Sequence, residues 1–193
     1  MRPGLRPASP FARASSALPV LLLAVALAGD PAAAVPRLTY ASREFVTSFL
    51  PARLFAAGEL REGRLALWNP FLLEGAAQAP AVYPADLLLA AWPSPVFASW
   101  LLTLHLPLAA LAAFALARAL GTSATGAFVS GTTYALGGLA VSCLERAAPL
   151  PALALAPLVV LLLRGAALHG SRTVLGAAFL LAVALTTLIS SIV

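Results

Sequence analysis

Five long apolar stretches, at residues 17–35, 96–117, 124–144, 150–163 and 173–193, constrain this chain more than any other feature. The hydrocarbon of a bilayer calls for about 20 mostly apolar residues per helix, and all but the fourth stretch are long enough to span outright. The fourth extends through Ala147–Pro149 at the interface, and tilt or local thinning of the bilayer covers the remaining mismatch at modest cost. Of the 193 residues 61% are hydrophobic and 10% charged, with a mean hydropathy of +0.95, which excludes an ordinary soluble domain. The expected class is therefore an all-α polytopic membrane protein with about five transmembrane helices.

The charge balance of +5 comes from twelve arginines against seven acids. The arginines lie singly along the chain and form no patch suited to nucleic acid. With no lysine, Schiff-base chemistry is excluded. The single Cys143 cannot close a disulfide within one chain. Phosphate-loop, zinc-cluster, dinucleotide and serine-hydrolase motifs are absent.

Residues 1–36 form a basic arm and the first apolar stretch, which Asp30 and Pro31 interrupt. This segment is read as an uncleaved first helix, although a basic start, a short apolar run and Ala32–Ala34 also describe a cleavable signal peptide. Residues 37–95 form an outer loop, and residues 96–193 hold the remaining four spans. An amino terminus in the cytoplasm places Arg2, Arg6, Arg13, Arg118, Arg164 and Arg172 inside, and the other six arginines with every acid outside. The arginine count is a tie, but the inner arginines lie close to helix ends, which favours this orientation. The last stretch reaches Val193 with no polar tail or charge to anchor it, so the chain reads as the front of a longer protein.

The outer loop holds five of the seven acids, and its first half has helical spacing. Phe45, Phe49, Leu50 and Leu54 share one face; Glu44, Thr47 and Ser48 share the opposite, polar face. Such an amphipathic helix is expected to lie in the membrane surface with its apolar face down, bent at Pro51, which lacks a backbone donor. Glu59, Arg61, Glu62 and Arg64 read as a solvated turn region. Trp68, Tyr83 and Trp92 read individually as interface-belt aromatics, and Asn69–Pro70 as a turn. His105, two residues before Pro107, reads as a helix-interior hydrogen bond at a proline kink. A transport pathway is the weaker reading of this one residue.

The run Arg43–Glu44, Pro51, Gly58 to Gly63, Leu67–Trp68–Asn69–Pro70–Phe71, Gly75 and Tyr83–Pro84 resembles the first outer loop of the YfhO family of bacterial membrane proteins. The resemblance continues through Leu104–His105, Ala117–Gly121 and Tyr134–Gly138, covering roughly residues 38–163. It implies the amino-terminal half of a GT-C-like membrane glycosyltransferase that uses a polyprenyl-phosphate sugar. Members of the family usually carry Arg-Asp where this chain has Arg43–Glu44, so the glutamate keeps the charge and adds a methylene. The segment from Gly75 to Tyr83 is shorter than in the family and offers only Gln78 as a comparable polar group.

On this reading Glu44 is the catalytic carboxylate, a general base for an acceptor hydroxyl. Arg43, Arg53 and Arg146 supply positive charge for the departing lipid phosphate, for which the guanidinium fork is suited. Trp68, Asn69, Gln78 and Tyr83 complete the implied substrate site. No cofactor is identified. A divalent metal is compatible with a carboxylate and a substrate phosphate, but no second protein ligand for it stands out. The competing reading of Glu44 is a carboxylate that caps or solvates the surface helix near its amino-terminal end. The competing reading of the chain is a non-catalytic truncated family member or small membrane subunit. Gly126, Gly131, Gly137, Gly138 and Ala140 would permit close helix packing, within this chain or with another.

Overall fold

The computed structural model describes residues 18–19, 21–22, 42–71, 74–77, 83–169 and 172–189. Most of these are helical. A π turn, Phe45–Phe49, leads into α1 (Leu50–Arg61); a two-residue hairpin, β1 (Trp68–Asn69) and β2 (Ala76–Ala77), follows, then α2 (Pro84–Ala91). The helices of the apolar part are α3 (Pro95–Thr103), α4 (His105–Ala119), α5 (Ala124–Leu136), α6 (Gly138–Glu145), α7 (Leu150–His169) and α8 (Arg172–Ile189). Among the described residues three helical stretches are long and apolar enough to cross a membrane: Pro95–Ala119, Ala124–Leu144 and Leu150–Leu168. The first apolar stretch, 17–35, falls mostly outside the described residues, as do the carboxyl-terminal residues 190–193. In the last stretch α8 runs from Arg172 to Ile189 and includes the apolar portion Val174–Val183.

The local sequence accounts for the helix ends. Pro95 opens α3 at its first helical position, where a missing donor costs nothing, and Ser94 before it is extended, as a residue preceding proline prefers. At the end of α4, Gly121 adopts φ +92, donates to the Arg118 carbonyl at 3.0 Å, and lets Thr122 N–H reach the Ala117 carbonyl at 3.1 Å. This glycine-terminated cap closes the carbonyls left open at the helix end. Two residues on, Ser123 Oγ accepts from Gly126 N–H at 3.1 Å and starts α5. The sequence Arg118–Gly121–Ser123 is thus a stop and a start in one short turn.

α4 packs along α5 and α7, and α8 along α7. Gly131 sets the closeness of α4 and α5, because a Cβ there would stand 2.6 Å from the Ala110 carbonyl oxygen and 2.8 Å from Leu22 Cδ2. Of the small residues expected to mediate packing, Gly131 does so within the chain and Ala140 is fully buried, whereas nothing stands within 4 Å of a Cβ at Gly138. Pro157 lies inside α7 and cannot donate to the Leu153 carbonyl one turn before it. The Tyr134 hydroxyl, from α5, donates to that carbonyl at 2.8 Å. In an apolar segment a freed carbonyl needs such a substitute donor.

Two expectations are corrected here. The fourth stretch does not end at Leu163: α7 continues to His169, with Arg164 exposed on the helix. Arginine is a good helix former, and its charge marks an interface without stopping a helix. The loop helix does not rest its apolar face on lipid. Phe45 is fully buried in a cluster with Leu89, Leu102, Leu106, Ala140 and Leu150, and Phe49, Leu50 and Leu54 pack on that cluster. The face finds protein from α2, α3, α4, α6 and α7, which covers it more closely than mobile lipid chains would.

Candidate functional site

Ser42 begins the helical run: its Oγ accepts from the Phe45 N–H at 3.2 Å, an N-terminal cap. The cap therefore comes from Ser42, and Glu44 stands in the first turn where the helix dipole favours an anion. Leu50 N–H bonds to the Phe45 carbonyl, five residues back, so the run is in π register immediately before Pro51, which has no N–H to give. Single π turns of this kind are frequent at functional sites.

The polar side of the turn lines an open groove of about 700 Å³ with Ser42, Arg43, Glu44, Thr47, Ser48 and Arg146. Arg146 comes from the end of α6, about a hundred positions away in the chain. The groove thus gathers two guanidinium groups, one carboxylate and three hydroxyls. Thr47 Oγ1 donates to the Arg43 carbonyl at 2.7 Å and lies 3.4 Å from Ser48 Oγ. The ion pairs formed among the described residues are Arg53–Asp86, Arg64–Glu59 and Arg64–Glu62, so none of them engages Arg43, Glu44 or Arg146. One carboxylate between two cations is a poor donor set for a divalent metal, and among the described residues no cluster of three His, Cys, Asp or Glu side chains could hold one. The set suits a ligand that presents an anion to the arginines and a hydroxyl to the glutamate.

The other expected site residues lie elsewhere. Arg53 Nη1 donates to Asp86 Oδ2 at 2.7 Å, with the side chains only 13% and 9% exposed. Its guanidinium carbon stands 5.3 Å from the centroid of the Phe49 ring. Burial pushes the Asp86 carboxyl up from its ordinary range, against the opposing pull of Arg53 and a backbone hydrogen bond at Tyr83. Tyr83 is pushed up to about 12, by burial first and the Asp86 charge second, so it stays protonated. Its hydroxyl meets His105 Nε2 at 2.6 Å, while His105 Nδ1 lies 2.7 Å from the Leu101 carbonyl. A carbonyl only accepts, so Nδ1 carries the proton and Tyr83 donates to Nε2. A small cavity of about 30 Å³, room for a water or two, adjoins Arg53, Asp86, Tyr83 and His105.

Trp68 is 59% exposed in the hairpin and lies against Gly75; a Cβ there would meet its ring at 2.6 Å. Asn69 is buried, and its Oδ1 accepts from Phe71 N–H at 3.0 Å, the turn that Asn-Pro predicts. Neither lines the groove. Gln78 lies outside the described residues. The charged turn is solvated as expected: Arg64 holds Glu59 through two hydrogen bonds of 2.7 and 2.9 Å, which lower the Glu59 carboxyl below its ordinary range. Asp86 is the residue that sequence reasoning passed over. Its local signal was a carboxylate in the first turn of a helix opened by Pro84, which names a cap position but no distant partner.

No protein-family model, curated protein or solved structure matches this chain.

Proposed function

We propose that this chain is a polytopic membrane protein of the glycosyltransferase type. It moves a sugar from a polyprenyl-phosphate donor to an envelope acceptor at the outer face of the bacterial inner membrane, with its amino terminus in the cytoplasm. The observation that carries the reading is the groove in which Arg146 joins Arg43 and Glu44. Arg43 and Arg146 take the phosphate of the donor, and Glu44 accepts the proton of the attacking acceptor hydroxyl. The proton leaves the hydroxyl as the new glycosidic bond forms, and the polyprenyl phosphate departs with the electrons of the broken bond. The placement of this groove beside helices apolar enough to span a bilayer supports a substrate that is itself held in lipid.

The test is made with the protein reconstituted in liposomes containing polyprenyl monophosphate, and then with a polyprenyl-phosphate sugar. Charge-assisted contacts contribute about 1.5–3 kcal/mol each, so Arg43→Ala and Arg146→Ala should each weaken binding roughly ten- to a hundredfold. Glu44→Gln should retain binding and lose roughly a hundredfold or more in transfer. Unchanged transfer by Glu44→Gln at normal protein level would remove the carboxylate from the chemistry. Equal binding by both arginine variants would remove the groove. A second reading, a membrane subunit packing against a partner, draws on the exposed Leu175 and Phe179 of α8. It predicts no transfer and co-purification with another membrane protein.

A further inference from the structure

The groove residues are carried by a turn whose other face is fixed at a distance by a charged pair. Asp86 is set on α2 by Pro84 and by its own N–H, which donates to the Tyr83 carbonyl at 2.9 Å. It holds the Arg53 guanidinium at 2.7 Å, and that plane lies over Phe49. Phe49 in turn stacks on Phe45, with centroids 5.6 Å apart and planes inclined by 27°. Phe45 and Phe49 are the two ends of the π turn, and Glu44, Thr47 and Ser48 lie between or beside them on the groove side. A π turn is an uncommon register, so its position has to be set by what packs on it.

We infer that Arg53 and Asp86 are positioning residues for the groove, which through the guanidinium–Phe49–Phe45 stack hold Glu44 in the groove that Arg146 also lines. This rests on the reading of the groove as the binding site, but it concerns where the turn sits and is measured without a ligand. Arg53 is thereby given a different task from direct phosphate contact. The delocalised guanidinium matters as well as the charge, because an ammonium is a compact, more strongly hydrated cation that sits less readily over a ring.

The experiment uses the whole chain with Cys143→Ala, spin labels attached at Ser48→Cys on the turn and Leu139→Cys on α6, and dipolar electron paramagnetic resonance in detergent. The parent should give one narrow distance distribution. Arg53→Met with Asp86→Leu replaces the pair by apolar side chains of similar size, which keeps the protein folded and removes the link. It should shift or broaden the distribution by several ångströms, while Arg53→Lys, which keeps the charge, should fall between the two. A distribution as narrow and as centred in the apolar double variant as in the parent would overturn the inference. Polyprenyl monophosphate binding, measured separately, decides the reading of the groove, so the two can fail independently.

Discussion

Asp86→Leu should be far more damaging alone than together with Arg53→Met. The two side chains are 13% and 9% exposed and meet at 2.7 Å, so both have given up most of their water. At an effective dielectric near 20, charges about 4 Å apart attract by about 4 kcal/mol, while removing each ion from water costs several kcal/mol. The pair is thus close to balanced, and burial raising the Asp86 carboxyl despite Arg53 agrees with that. Removing one partner leaves the other charged and dry, a cost of about 3–5 kcal/mol. Replacing both by apolar side chains removes attraction and desolvation together, and should leave stability within about 1 kcal/mol of the parent or above it. The assay is reversible unfolding in mixed detergent micelles, followed by far-ultraviolet circular dichroism, on the parent, the two single variants and the double variant. Additive losses, with the double variant as unstable as the sum of the singles, would refute the argument that the two charges compensate each other.

Tyr134→Phe should cost about 1–3 kcal/mol by orphaning the Leu153 carbonyl; adding Pro157→Ala restores a backbone donor and should recover part of the loss in the same unfolding assay. Gly131→Ala should cost about 1–3 kcal/mol through the clash with the Ala110 carbonyl, while Gly138→Ala, with open space around its Cβ, should be neutral or slightly stabilising, as thermal unfolding of the two variants will show. The pH dependence follows from Asp86, whose carboxyl is raised in the folded chain above its unfolded value of about 3.9. Between those two values the folded state keeps a proton that the unfolded state has lost, so stability falls as pH rises through that window. Melting of the parent and of Asp86→Asn across the acid range should show this component only in the parent; a component that rises with pH would have the wrong sign.

The loop helix was legible because helical periodicity is local. Residues three and four apart share a face whatever the rest of the chain does, so Glu44, Thr47 and Ser48 could be placed together from spacing alone. The same holds for the apolar helices Pro95–Ala119 and Ala124–Leu144, which nearly coincide with the expected boundaries. The end of α7 was misplaced because a single arginine was read as a boundary, although nothing about its backbone breaks a helix.

What the amino-acid sequence determined by itself is a mainly helical chain with stretches suited to a bilayer and one amphipathic turn bearing a carboxylate. Only the tertiary structure decided that Arg146 lines one groove with Glu44, that Arg53 is committed to Asp86, that Tyr83 donates to His105, and that Tyr134 serves the carbonyl freed by Pro157. Each of those partnerships joins separate segments of the chain, and no helical period reaches across them. Their geometry is fixed by how apolar faces pack, which brings together polar groups whose sequence separation carries no signal.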